Sequence, residues 1–290
     1  MDTKSLHHFL SLAETLHFGR ASAAAHVSPS TLSRSIQQLE EKLGVVLFER
    51  DNRTVSLTPE GQKFETYARE TISQWATIRN ELMAESTELK GEISVYCSVT
   101  ASYSFLYEIL NRFRQHYPKI EIKLHTGDPD SAIEHVMSGK EDVVVSARPE
   151  QMPSDLRFHS IGLSPLTFIA PANDEISIPE TNEDWAQTPM ILSERGIGRQ
   201  RVDSWFASKK ITPRIYSQVA GNEAIVSMVS LGFGIGVVPQ IVLDNSPLAD
   251  RVRVLDVKPW LAAYDVGICV LEKKLKSPLI QAFWELLETR

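Results

Sequence analysis

The segment Ser28–Gly44 constrains this chain most, because both ends of a helix are written into it. Ser28 suits the N-cap, and Pro29 suits the first helical position, where a missing N–H costs little. Gly44 can supply the left-handed residue that ends the helix. Leu32, Ile36, Leu39 and Leu43 fall at i, i+4, i+7 and i+11, which makes one buried stripe. The opposite face carries Ser30, Arg34, Gln37 and Glu41. Short hydroxyls, an Arg and a Gln are the side chains that meet base edges and phosphates in a DNA major groove. Taken alone, the same pattern fits an ordinary amphipathic surface helix, so the neighbouring segments must decide.

Those neighbours build a head. Leu6, Phe9, Leu10, Ala13 and Leu16 form a stripe on a first helix, and His17-Phe18-Gly19 breaks it. Arg20 to His26 is rich in Ala, which allows a short second helix to approach its partners closely. Val46 to Phe48 and Thr54 to Leu57 read as paired strands around an Asp51-Asn52 turn, a wing with Arg50 and Arg53 beside its tip. Two short helices, a turn, a polar-faced third helix and a wing make a winged helix-turn-helix. The DNA-binding candidates are Arg20, Ser28, Ser30, Thr31, Ser33, Arg34, Gln37, Arg50, Arg53 and Thr54.

Net charge qualifies this reading. The chain carries −7, and its first 57 residues balance to zero. A nonspecific DNA coat would be basic. A neutral head must place few cations well and is expected to work in pairs. The pairing device lies next. Thr58-Pro59 opens another helix, and about 30 residues at ~1.5 Å each give a rod of roughly 45 Å. Phe64, Ala68, Thr71, Trp75, Ile78 and Leu82 follow one another at steps of four and three, a seam for a second copy. Packing within the same chain is the alternative.

From Glu92 on, strand and helix patterns alternate. Strands are expected at Ile93–Cys97, Ile120–Leu124, Val143–Val145, Leu166–Ala170, Met190–Leu192, Arg214–Val219 and Val266–Leu271. Helices are expected at Tyr103–His116, Asp130–Ser138, around Val202–Ala207, at Glu223–Leu231 and at Ser277–Leu287. This order implies a mainly parallel sheet in an α/β fold. Ligands bind beyond the carboxyl ends of such strands. The loops there hold Ser98, Val99, Thr100 and Ser102, then Thr126 and Gly127, then Arg148, with Ser193, Arg199 and Asn222 from the later strands. Each lone Ser or Thr is equally explained by helix capping.

Other chemistry finds little support. Gly232 to Pro239 has alternate glycines, but a helix precedes it and Pro239 follows, so it reads as a turn into a strand rather than a dinucleotide loop. His7, His8, His17 and His26 have no metal-ligand spacing. Neither a nucleophile elbow nor a phosphate-binding Lys loop occurs. No catalytic residue, metal or cofactor is therefore expected, and an enzyme with an appended DNA-binding head stays a formal alternative. Cys97 and Cys269 sit in apolar runs and read as buried free thiols rather than a disulfide. With no apolar run near 20 residues and no leader-like N-terminus, the expected location is the cytoplasm, without a membrane partner.

The run Phe9, Ala13, Phe18, Ala23-Ala24, Val27-Ser28-Pro29-Ser30-Thr31-Leu32-Ser33-Arg34-Ser35-Ile36, Leu39-Glu40, Leu43-Gly44, Leu47-Phe48-Glu49-Arg50, Leu57-Thr58-Pro59-Glu60-Gly61 resembles the LysR-type transcriptional regulators in register. Many members carry Gln where this chain has Pro29, which moves base reading to Ser30, Thr31, Ser33, Arg34 and Gln37. The resemblance implies a winged helix-turn-helix at 1–58, a linker and dimerisation helix at 59–90 and an effector domain at 91–290. That domain would be two-lobed and similar to periplasmic binding proteins, with lobe I at 91–161 and 265–290 and lobe II at 162–264. It further implies double-stranded DNA, a small-molecule inducer and RNA polymerase as partners, and a homodimer or homotetramer.

Cys97-Ser98-Val99-Thr100-Ala101, Arg50 to Val55, Glu121–Leu124 with Thr126-Gly127-Asp128, and Glu223–Val229 look like the branch that activates the ketol-acid reductoisomerase gene of isoleucine and valine biosynthesis. That likeness implies an acetohydroxy acid inducer, 2-acetolactate or 2-aceto-2-hydroxybutyrate, with Arg148 as the first candidate for its carboxylate. A different inducer on the same scaffold remains the alternative.

Overall fold

The computed structural model describes residues 2–50, 54–83, 89–173 and 176–288; within the helix at 59–83, the side chains of Asn80, Glu81 and Met83 are left aside. The chain forms two compact units, one from Met1–Thr87 together with Ser138–Lys140, the other from Glu88–Met137 and Glu141–Arg290.

The first unit contains α1 (Thr3–Thr15), α2 (Phe18–Ala24), α3 (Pro29–Leu43), the strands β1 (Phe48–Arg50) and β2 (Val55–Leu57), and α4 (Pro59–Met83). Capping residues set the boundaries. The Asp2 side chain accepts from the Ser5 N–H at the start of α1, and Leu16 closes that helix at φ 47°. His17, read as a breaker, accepts from the N–H groups of Gly19 and Arg20 and so caps α2. Ser28 accepts from the Thr31 N–H, Pro29 takes the first position of α3, and Gly44 ends it at φ 71°. The core gathers Leu6, Phe9, Leu12, Ala21, Leu32, Ile36, Leu39, Leu47 and Phe48. Leu16 and Leu43, placed in the apolar stripes, are exposed because each lies at the last turn of its helix, beyond the core. The wing is shorter than expected: Phe48 pairs with Leu57 and Arg50 with Val55, antiparallel, while Val46 is exposed. The Thr58 hydroxyl accepts from the Gly61 N–H and donates to the Val46 carbonyl, joining the start of α4 to the wing.

The α4 helix spans 25 residues, about 37 Å at ~1.5 Å per residue. Residues 84–88 of the expected rod lie outside the described residues. Phe64 and Ala68 are buried in the head's own core, with the Phe64 ring 4.8 Å edge-on to Phe9. This corrects the expected seam: those two positions are taken by the same chain. The Thr71 hydroxyl donates back to the Tyr67 carbonyl. Trp75, Ile78 and Leu82 are exposed, Leu82 at 77%.

The second unit has two five-stranded sheets. The first lobe runs β3 (Gly91–Cys97), α5 (Val99–Tyr103), α6 (Phe105–His116), β4 (Ile120–Thr126), α7 (Ala132–Met137), β5 (Val143–Ala147) and β6 (Leu156–Ser164). The second lobe runs β7 (Leu166–Pro171), α8 (Asn182–Gln187), β8 (Pro189–Ser193), α9 (Gly196–Ser208), β9 (Arg214–Val219), α10 (Asn222–Ser230), β10 (Ile235–Pro239), α11 (Gln240–Asp244) and β11 (Val252–Leu255). β12 (Tyr264–Leu271) and α12 (Pro278–Glu288) return to the first lobe, whose order is β4-β3-β5-β12-β6; the other sheet is β11-β7-β10-β8-β9.

The sheets are mixed, which corrects the mainly parallel expectation. β3 is parallel to β4 and β5, and β8 is parallel to β9 and β10. β12 runs antiparallel to β5 and β6, and β7 antiparallel to β10 and β11. Strands that cross from one lobe to the other enter the next sheet from its cleft side, and so oppose the strands already there. β6, β11, α8 and α11 were not anticipated. With β6 paired to β12, the first crossover falls at Pro165, a few residues after the expected 161/162 boundary. Each lobe has its own core: Ile93, Val95, Phe113, Ile268 and Phe283 in one, Phe168, Trp185, Trp205, Phe206 and Ile235 in the other.

Candidate functional sites: a reading face and an interlobe cavity

On the head, α3 presents its polar side outward. Ser28, Ser30, Thr31, Arg34 and Gln37 are exposed, and Ser33 is half-buried. The Ser28 hydroxyl lies 2.9 Å from the Ser30 hydroxyl and 2.8 Å from that of Thr31, so the three form one cluster at the helix start. Gln37 donates to Glu41 (3.1 Å), a contact a base edge would have to replace. Arg20 donates to the Thr15 carbonyl (2.9 Å), which ties α2 to the end of α1.

Two expected residues fare differently. Arg50 is committed inside the head: its guanidinium bonds Glu40 Oε2 at 2.6 Å and lies over the Phe18 ring. Glu40 Oε1 accepts from the N–H groups of Leu47 and Phe48. Arg50 therefore braces the wing while its side chain stays partly exposed, and a phosphate would have to compete with Glu40 for it. Arg53 lies outside the described residues, and Thr54 is exposed. Residues that sequence reasoning missed complete the face. Lys4, Ser5, Gln38 and Lys42 line one groove with Thr31 and Arg34. The step from Thr31 through Arg34 and Gln38 to Lys42 is helical, so the signal was present; Lys4 joins only because α1 folds beside α3.

In the second unit a cavity of about 280 Å³ opens between the lobes, at the carboxyl ends of β3, β5, β8 and β10. Four of the anticipated residues line it: Ser98, Thr100, Ser193 and Asn222. Ser98 caps α5 by accepting from the Ala101 N–H. Thr100 crosses the cleft: its hydroxyl donates to Glu223 Oε1 at 2.6 Å, and its N–H donates to the same oxygen at 3.3 Å.

Six anticipated residues do not line the cavity, each for a visible reason. Val99 begins α5 and faces out, and the Ser102 hydroxyl donates to the Val99 carbonyl. Thr126 ends an edge strand, exposed, and the Gly127 N–H donates to the Cys97 carbonyl. Arg148 pairs with Asp265 (2.9 Å) and stacks on Phe158, 4.5 Å from the ring centre. Arg199 holds Asp203, the Ser193 carbonyl and Gln218. These are corrections to the expected inducer contacts. For Arg148 the cause is the strand itself: successive residues alternate faces, so the residue after Ala147 points away from the cavity that Ala147 lines.

The lining is polar in an unexpected sense. Asp128 and Asp130 line it, and among the described residues that do so there is no Lys or Arg. Arg195 stands nearby at the head of α9, bonded to Ser131 (2.9 Å) and Asp128 (3.5 Å). Tyr264 lines the wall from β12; burial pushes its phenol up, while the Gly198 N–H bonded to its hydroxyl pulls the other way. Phe105, Ile133, Val145, Ile241 and Val266 supply apolar surface. Cys97 and Cys269 are buried free thiols, each pushed up to about 12 by burial, so neither offers a thiolate at neutral pH.

Among the described residues no helix is long and apolar enough to cross a membrane. Residues 3–62 match the family described as bacterial regulatory helix-turn-helix protein, lysR family, and residues 86–290 match the LysR substrate binding domain. The chain is 43% identical to the HTH-type transcriptional activator IlvY of Salmonella typhimurium, covering 99% of each chain. It is equally similar to the HTH-type transcriptional regulator IlvY of Escherichia coli, over the same share. A solved full-length OxyR variant from Pseudomonas aeruginosa superposes with a TM-score of 0.69 at 23% identity, over 99% of this chain and 95% of that one. Full-length CbnR complexed with its target DNA gives 0.64 at 24% identity, over 100% of this chain and 99% of that one. At these identities the likeness to the solved structures is one of fold.

Proposed function

The chain belongs to the LysR family and is a transcriptional activator of that kind; on this footing we propose that its inducer is a small acetohydroxy acid and its target a gene of branched-chain amino acid biosynthesis. The observation that carries the proposal is the 43% identity to IlvY activators along 99% of the chain, effector half included. In this reading 2-acetolactate or 2-aceto-2-hydroxybutyrate enters the interlobe cavity, and the ketol-acid reductoisomerase gene is the target. Ser98, Thr100, Ser193 and Asn222 offer hydroxyl and amide groups for its ketone, hydroxyl and carboxylate.

Two copies bind double-stranded DNA through the α3 faces. Exposed Trp75, Ile78 and Leu82 are the surface a second α4 would cover, as a dimer or within a tetramer. The inducer acts by binding one arrangement of the lobes better than another, and this shifts how the heads sit on DNA and meet RNA polymerase. The expected result is that 2-acetolactate alters the DNase footprint and raises transcription from the target promoter in a purified system. A saturating dose that changes neither would refute the inducer assignment.

One observation favours a second reading. A cavity lined by Asp128 and Asp130 without a lining cation also suits an uncharged or ammonium-bearing inducer. A thermal-shift comparison of 2-acetolactate with small polyols and amino acids separates the two, since a bound ligand raises the melting temperature by mass action.

A further inference from the structure

We infer that Asp130 is a specificity-determining residue of the cavity: it meets an anionic ligand as the neutral acid and donates a hydrogen bond to it, so that binding takes one proton from solvent. The inference rests on the inducer reading above and resolves its main tension, an anion in a cavity walled by carboxylates.

Geometry comes first. Asp130 lies on the turn Pro129–Ser131 that follows β4, and its own N–H donates to Asp128 Oδ1 (3.1 Å). One tight turn thus holds two carboxylates at the cavity wall. The Asp130 carboxyl rests against Gly196 at the start of α9, in the other lobe. A Cβ on Gly196 would fall 1.9 Å from Asp130 Oδ1, and that residue has φ +89°, so glycine both allows the backbone and leaves room for the acid.

The groups around it are few. Asp128 shares its turn. Arg195, from the segment before α9, is directed to Asp128 and Ser131. Tyr264 comes from β12, and Arg201 of α9 lies over the Tyr264 ring and donates to the Ala262 carbonyl. Glu223 of α10 is taken by Thr100. Burial and then the Asp128 charge push the Asp130 carboxyl up to about 6, against the pull of Arg195. By its surface Asp130 is exposed to the cleft, and water there limits this push in the empty cavity. A ligand that expels that water and brings its own negative charge removes the limit and drives the group further toward its acid form.

A ligand carboxylate of ordinary acidity stays ionised above about pH 5, so the proton goes to Asp130, the weaker acid. The step is balanced: one proton leaves solvent and binds a carboxylate oxygen, and the new O–H points to the ligand. The sign is set. The acid form binds the anion, so affinity is greatest below about pH 6 and falls by up to about tenfold per pH unit above it.

The test is calorimetric titration of the full chain with 2-acetolactate from pH 5.5 to 8, in buffers of different ionisation enthalpy. Uptake approaching one proton per site at pH 7 to 8, and a Kd that rises at least about tenfold from pH 6 to 8, are expected. Asp130→Asn keeps a donor of the same shape without the charge. Its Kd should vary less than about twofold over this range and be at least about tenfold tighter than the parent's at pH 8.

A ligand-free measurement guards the result. A folded-state value above the unfolded 3.8 makes the Asp130 contribution fully present below about pH 4 and lost as pH rises through 6. Parent stability should therefore fall relative to Asp130→Asn between pH 4 and 6, and a flat difference overturns the inference. Binding without proton uptake, with the same pH profile in both proteins, removes the role of Asp130 and leaves the inducer reading intact. If neither protein binds 2-acetolactate at any pH, the inducer reading falls and this inference with it.

Discussion

The head and the interlobe cavity solve opposite problems with arginine. On the head, Arg34 is exposed on the reading face, beside Lys4 and Lys42 in one groove. In the effector half, Arg148, Arg199 and Arg195 are each bonded to acidic or polar neighbours, and carboxylates line the cavity instead. The difference follows from the ligands. A DNA backbone is a fixed array of anions that a few well-placed cations can meet at a solvated surface. A small ligand in a cleft is recognised by hydrogen bonds whose charges must balance locally.

The comparison is most strongly tested by unfolding one side. Phe9→Ala removes a fully buried ring that packs on Phe48 and Phe64. It should cost about 3–5 kcal/mol in denaturant melts and abolish operator binding. The inducer-dependent melting shift of the effector unit should survive; its loss would show that the two units do not fold independently. Next in size, Glu40→Ala strips the Leu47 and Phe48 N–H groups of their acceptor and releases Arg50. A loss of about 1–3 kcal/mol in head stability is expected. If stability holds and only DNA affinity drops, Arg50 belongs to the DNA after all.

At the reading face, Arg34→Ala should weaken binding to the cognate site by roughly 1–3 kcal/mol, measured by titration against labelled operator. An equal loss on random DNA would make Arg34 a phosphate anchor. Lys42→Ala should act without regard to sequence and lower the slope of log affinity against log salt by about one. The smallest effect is expected at Arg148→Ala, where affinity for 2-acetolactate should change by no more than about twofold, as for other surface substitutions. A tenfold loss in the same calorimetric assay would return this arginine to the ligand.

These expectations mirror what the chain made legible. The α3 reading face was readable because a helix orders its residues by a known period, and Ser28, Pro29 and Gly44 mark its ends locally. The cavity was half-readable. Ser98, Thr100, Ser193 and Asn222 follow from the rule that ligands sit beyond strand ends. Asp128 stands beside Thr126-Gly127 in the same loop, but nothing local tells an acid that lines a cavity from one that faces open solvent. Tyr264 escaped because it begins the return strand. Arg148 was misplaced because its neighbour Ala147, not Arg148 itself, faces the cleft.

The split between Phe64–Ala68 and Trp75–Leu82 makes the same point on one helix. Spacing showed an apolar line along α4 but not its partners, and the first two positions are buried in the head while the later ones are exposed. Sequence alone determined the helices of the head, the caps of α3, the winged head and the order of most effector strands, since each rests on contacts within a few residues. Tertiary structure decided which side chains share the cavity, which arginines are committed elsewhere and why the sheets are mixed. Those depend on strands crossing between lobes, bringing Asp130 against Gly196 and Thr100 to Glu223, contacts that no local period records.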